Sequence, residues 1–275
     1  MEQTQTLPPH DTLADAVTAS DAVITSTPRQ RVRLWDLPLR IFHWSLVTAV
    51  SVAIATGLAG GEWMPLHGQA GLVIVGLLSF RIVWGLWGST YARFRTFVPS
   101  PSTLLTYLQG RWQGADHNPL GALSVLALIG VLAAQVATGL VGNDEIAFTG
   151  PLASQVDEAL SLKLTGFHHQ LVNVLYVLLG LHIVAILVHV HIKKDPLIRP
   201  MVTGWKDVPA SVPQPRAAGP VAFIVALGVA LGAVYGGSGL WIDGVATPST
   251  ESAGASGDTA EAVSPSVSQP ATPSW

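Results

Sequence analysis

The sequence predicts an all-α polytopic membrane protein, a bundle of four transmembrane helices followed by a fifth C-terminal transmembrane helix, and three observations carry that reading. Only 11% of the 275 residues are charged while 49% are hydrophobic, a poverty of charge that soluble domains of this size do not show. Five apolar runs, four of them uncharged and one broken by a single arginine, are each long enough to cross a hydrocarbon core of ~30 Å. One of these runs, Phe167 to Ile192, holds five histidines, which apolar spans seldom carry without a function.

The elements follow in order. Residues 1–30 are polar and mildly acidic, lack the apolar core of a signal peptide, and read as a disordered cytoplasmic tail. Arg29, Arg31, Arg33 and Arg40 precede the first span, Ile41 to Gly61. Glu62 and Trp63 turn the chain into the second, Leu66 to Gly88, which is interrupted by Arg81 and closed by the interfacial Trp84 and Trp87. The third runs from Pro119 to Gly142 and is entered through Asp116-His117-Asn118, with a proline in the first turn where no helical hydrogen bond is lost. Asn143 to Gly166 is an acidic loop whose amphiphilic middle is expected to form a short surface helix. The histidine-rich fourth span comes next, then a cytoplasmic linker at 209–219, a fifth span within 220–242, and a Ser/Pro/Thr/Ala tail at 243–275 read as disordered and periplasmic.

Basic residues orient the chain. Four Lys and Arg lie in the N-terminal segment, three between spans two and three, and five between spans four and five; Arg81 is within a span and Lys163 alone is on the opposite side. The positive-inside rule then makes the N-terminus cytoplasmic and the acidic loop and C-terminus periplasmic. No nucleic-acid partner is expected; the surroundings are lipid.

The chain has no cysteine, which excludes disulfides, thiolate-bound iron–sulfur clusters and covalent c-type haem, so a metal centre has to rely on histidine, methionine or oxygen. His168 and His182 are fourteen residues apart and return to within ~40° of one face, at levels ~21 Å apart along the helix. By depth, the outer His168 matches His67, and the inner His182 matches His43 to about one turn, lying somewhat deeper. Each pair supplies two axial nitrogens to a six-coordinate iron, which carries electrons and leaves no open position for oxygen chemistry. The reading is therefore a four-helix transmembrane haem-binding bundle with two non-covalent haem b groups, both bis-histidine. A single intramembrane histidine is more often a packing or proton-relay group; four that pair by depth weigh differently. Gly57, fourteen residues after His43, and Gly71, beside His67, leave room for a flat macrocycle, although glycine also serves plain helix packing.

Trp35-Asp36 with Arg40, His43 and Trp44, the His67-to-Gly71 entry, Arg81 with Trp84-Gly85 and Gly88, His117-Asn118-Pro119-Leu120-Gly121, His168 with Asn173 and His182, and Met201, Thr203, Gly204 and Lys206 together resemble the bacterial cytochrome b561 and nickel–iron hydrogenase b-type cytochrome superfamily. The resemblance covers about residues 31 to 208. It implies a di-haem domain of the bacterial inner membrane that passes electrons between quinone and another carrier, with Asn173 at the cofactor. The fifth span departs from the simplest members. Arg81 has two readings, pairing with a haem propionate or snorkelling to phospholipid; Arg40 poses the same choice at the boundary, where snorkelling is easy.

Three functions fit these residues: an electron-transfer subunit linking quinone to a periplasmic c-type cytochrome, dehydrogenase or hydrogenase; a self-contained quinone-linked oxidoreductase acting on a small species such as superoxide; and a haem-free transporter or anchor with a histidine proton relay.

Overall fold

A computed structural model describes residues 28–111, 119–146 and 148–243. The tails expected before and after these limits and the His117-Asn118 entry lie outside the described residues, which contain five helices long and apolar enough to cross a membrane.

Helix α1 spans Leu37–Ala59. It starts four residues before the apolar run because Asp36 caps it, accepting from the Leu39 amide at 2.8 Å, with Pro38 in the first turn. Helix α2, Met64–Trp87, follows a single 3-10 turn. Two short helices, Phe94–Phe97 and Pro101–Leu108, lie before α3, Pro119–Val141.

Helix α4 differs from expectation. The amphiphilic stretch before Phe167 is no separate surface helix: capped by Asp157, it forms the first turns of a continuous helix, Glu158–Leu187. No residue there breaks the ladder, and polarity marks where the helix leaves the membrane, not where it ends. The helix then widens into a π turn at Val188–Ile192, which holds His189 and His191. Helix α5 covers Pro220–Gly237 and stops short of Trp241. The break falls at Gly239, whose φ of +72° suits glycine and whose Cβ, if present, would lie 2.5 Å from the Pro151 carbonyl oxygen.

Helices α1 and α2 pack as one hairpin and α3 and α4 as another, joined through α2 and α3. Ala49, Val50, Ile74, Leu78, Leu132 and Leu175 form one buried apolar layer to which all four helices contribute. Helix α5 lies against the other side of α2: Ala226 is fully buried among Trp35, Phe42 and Trp84, and a Cβ on Gly76 would come within 2.7 Å of Val234. Small residues let membrane helices approach this closely. Outward faces are apolar, as at Leu58, Val177 and Leu231, consistent with lipid as the solvent.

The sequence reading did not anticipate a two-stranded antiparallel sheet, β1 (Arg29–Arg33) against β2 (Trp205–Pro209), with Val32 opposite Lys206. It ties the entry of α1 to the exit of α4 and buries Val32 and Val208 almost completely. Gly204, at φ +87°, ends the helical turn Ile198–Thr203 and accepts from the Trp35 amide at 3.2 Å.

Candidate functional site

His67 and His168 come together at the end of the bundle that bears the Asn143–Asp157 loop, called outer below; their ring centroids are 6.1 Å apart and their planes meet at 77°. Two imidazoles binding one metal from opposite sides, each nitrogen ~2 Å from it, place their centroids roughly 6 Å apart. The tautomers suit that purpose. His67 Nδ1–H donates to the Ala53 carbonyl at 2.8 Å and His168 Nδ1–H to the Gln135 carbonyl at 2.9 Å. A carbonyl only accepts, so each Nδ1 carries the proton and each Nε2 keeps its lone pair, the arrangement usual for metal-binding histidines.

Glycines admit these rings. A Cβ on Gly57 would lie 3.1 Å from His67 Cε1, and one on Gly139 would lie 3.1 Å from His168 Cε1. Around the pair is a cavity of about 450 Å³, lined mainly by apolar side chains and also by Gly71, Asn173 and His169. A Cβ on Gly71 would meet nothing within 4 Å. Asn173 donates to the His169 carbonyl at 3.2 Å, one turn back along α4. Phe148, from the loop, stands edge-on to His67 at 6.2 Å and against Gly68.

At the other end, His182 lies within electrostatic reach of His43, whose Nδ1 is buried with no hydrogen-bond partner. The apolar layer containing Leu175, midway between His168 and His182 on α4, separates the two ends. Among the described residues no group of three or more His, Asp or Glu is placed to hold a metal ion. The histidines form pairs, a donor set that suits a metal whose remaining ligands come from a macrocycle. Orphaned Nδ1, glycine cradles and paired imidazoles all fit haem.

Arg81 is 3% exposed, so it does not snorkel to lipid. Its Nη1 donates to the Ala92 carbonyl, its guanidinium lies over the rings of Phe94 and Phe97, and Asp36 is within electrostatic reach. Arg40 is half-buried: Nη2 donates to the Val202 carbonyl at the surface, while its buried Nε has no partner. Asp36, besides capping α1, accepts from Trp84 Nε1 at 3.0 Å, which explains why Trp35-Asp36 and Trp84 occur together. His169 lines the outer cavity beside His168, at 6.2 Å between rings, and His189 donates to the Ala185 carbonyl near the inner end.

The sequence reading overlooked Gln135, Thr138 and Gly139. A signal was present, because Ala-Thr-Gly-Leu occurs at 55–58, containing Gly57, and again at 137–140.

The family model for prokaryotic cytochrome b561 matches residues 34–204, more than half of the chain. Two proteins named "Probable Ni/Fe-hydrogenase 1 B-type cytochrome subunit", one from Escherichia coli strain K12 and one from Escherichia coli O157:H7, are each 26% identical over 102 residues. The match covers 31% of this chain and 41% of each relative, so the chain spans less than half the length of the curated relatives it matches. No solved structure matches.

Proposed function

From the premise that the chain belongs to the prokaryotic cytochrome b561 family, we propose that it is a di-haem b-type cytochrome that passes electrons between quinone and a redox partner on the periplasmic side. Membership itself implies a multi-pass membrane protein that binds haem b and transfers electrons. The finer reading assigns His67 and His168 to an outer haem and His43 and His182 to an inner one. Haem b, when bound, supplies a one-electron iron couple.

The observation that carries the assignment is the outer pair, with ring centroids 6.1 Å apart and both Nδ1–H groups committed to carbonyls of neighbouring helices. Those bonds fix the tautomer and the ring orientation and leave Nε2 free to bind. Two imidazoles close both axial positions, which favours electron transfer over chemistry at the metal. His43, whose buried Nδ1 has no partner, and His182, within electrostatic reach of it, are the second candidate pair, without the carbonyl bonds that orient the outer one. The apolar layer around Leu175 excludes water between the sites.

The charge distribution supports a cytoplasmic N-terminus, and the acidic residues Asp144, Glu145, Asp157 and Glu158 on the outer side favour a carrier with a basic docking face. The partner in this reading is a c-type cytochrome, a dehydrogenase or a hydrogenase, the last supported by the relatives' printed names.

A reduced-minus-oxidised spectrum of the purified protein, with a pyridine haemochrome assay, tests the cofactor. Close to two b haems per chain is the expected result, and a featureless spectrum sinks the reading in favour of a haem-free transporter. Reduction by a short-chain quinol tests the quinone arm; reduction by dithionite alone refutes it.

A further inference from the structure

Thr56, Thr138 and Gly139 have no part in the assignment of ligands, yet they stand at the outer pair in a repeated pattern. In both copies of Ala-Thr-Gly-Leu the threonine hydroxyl donates back along its own helix: Thr56 Oγ1 to the carbonyls of Val52 at 2.7 Å and Ala53 at 3.2 Å, Thr138 Oγ1 to those of Ala134 and Gln135, both at 2.9 Å. In both copies the second of these carbonyls also accepts the Nδ1–H of the histidine on the next helix. In both, the following glycine leaves the space that the imidazole occupies. Three contacts thus recur on two hairpins.

We propose that this tetrapeptide is a duplicated positioning device: Thr56 and Gly57 on α1, and Thr138 and Gly139 on α3, orient the imidazoles of His67 and His168 toward one shared centre. Each threonine satisfies its hydroxyl inside the helix, where lipid offers no partner, and back-bonding of this kind bends a helix at the carbonyls it uses. Each glycine removes the atom that would turn the ring. At 3.1 Å from Cε1 a Cβ obliges the ring to give by a few tenths of an ångström. The 77° between the planes is the combined setting of the two clasps.

The copies differ in two ways: Thr138 Oγ1 also lies 3.3 Å from His168 Nδ1, and the carbonyl that meets the ring belongs to Ala53 in one copy and to Gln135 in the other. Gln135 Nε2 also donates to the His168 main-chain oxygen at 3.1 Å, so α3 holds both the ring and the backbone of its histidine. Two oxygens cannot bond to each other, which fixes the direction of the amide and leaves its buried Oε1 without a partner.

The inference rests on His67 and His168 sharing the outer haem. Its test uses the full-length protein in detergent with Gly57→Ala, Gly139→Ala, Thr56→Val and Thr138→Val, measuring haem per chain and the low-spin ferric electron paramagnetic resonance spectrum. The expected result is that all four variants move the same one of two low-spin signals, or lose that haem alone, while the other is unchanged. Retention of both haems with neither signal moved overturns the proposal, as does Gly57→Ala moving one signal and Gly139→Ala the other. Where a glycine variant does not accumulate, the Thr→Val pair decides, because it exchanges only a hydroxyl for a methyl. The ligand reading fails separately, if His67→Ala and His168→Ala remove different haems or none.

Discussion

Arg81 Nη1 donates to the Ala92 carbonyl at 3.1 Å, so a charge placed inside a membrane span is held by the chain's own loop. The guanidinium lies 4.7 Å from the ring centroid of Phe94, and Gly85, one turn further along α2, leaves room for that ring, because a Cβ there would be 2.1 Å from Phe94. Arginine, glycine and phenylalanine thus form one lock at the inner end. It is buried away from lipid, and Asp36 is the carboxylate within electrostatic reach of its positive charge.

The first prediction concerns that charge. Positive charge disfavours the ferric, more positive form of a neighbouring haem, so Arg81→Gln lowers the reduction potential of the inner haem. With ~59 mV per 1.4 kcal/mol for a one-electron couple and partial screening, the shift is on the order of tens of millivolts. A redox titration with both haems bound checks it. An inner potential equal to that of the parent protein makes Arg81 a structural lock alone, and a larger change at the outer haem inverts the depth assignment of α2.

The second prediction groups the histidines. His43→Ala and His182→Ala remove one haem and leave the other; His67→Ala and His168→Ala remove the second. His169→Ala keeps both, although His169 lines the same cavity as His168. Optical spectra of the five variants, normalised to protein, decide the matter, and a ligand-like loss in His169→Ala shifts the helical phase of α4 by one residue.

What was legible in the sequence is what depends on local composition. The five apolar runs stand out because lipid demands them. Helix ends were less legible, since Asp36 and Asp157 set the starts of α1 and α4 outside the apolar runs. Pairing of Arg29–Arg33 with Trp205–Pro209 was invisible, because the strands have no partner until the bundle brings the ends of α1 and α4 together. The outer site divides in the same way. His67 and His168 could be matched by depth, whereas the Ala53 and Gln135 carbonyls that hold them are main-chain groups with no residue signature. Only the repeated tetrapeptide marked them.

A third prediction concerns α5. Gly76 lets α5 approach α2 with Val234 almost in contact with its backbone. Gly76→Val forces a side chain into that space, and overpacking costs about 1–3 kcal/mol. The helices separate at this point, and the melting temperature followed by haem absorbance falls. Because the parent chain has no cysteine, Leu72→Cys with Gly237→Cys provides an independent readout. A short bis-maleimide links the two positions in the parent background and fails to do so with Gly76→Val. Equal cross-linking in both backgrounds removes Gly76 from the interface.

The fourth prediction places the α5 terminus. Reporter domains fused after Asp243 are active only in the periplasm, and those fused before Arg29 only in the cytoplasm, as the distribution of basic residues requires. A C-terminal reporter active in the cytoplasm means that α5 does not cross.

The last prediction uses Gly71 to separate folding from haem binding. Gly71 lines the outer cavity, and a Cβ there would meet no protein atom within 4 Å. Gly57 and Gly139 differ, because their missing side chains are replaced by histidine rings. Gly71→Leu therefore adds a branched side chain to open space, with leucine's higher helix propensity, by about 0.8–1.0 kcal/mol over glycine at most, favouring the α2 backbone. The apoprotein folds and inserts as before. If the space belongs to a macrocycle held by His67 and His168, leucine takes part of it, and the variant carries one b haem per chain where the parent carries two. Quantitative haemochrome analysis beside membrane accumulation reads both properties at once. Two haems in Gly71→Leu with unchanged spectra show that the space beside Gly71 is not the macrocycle's.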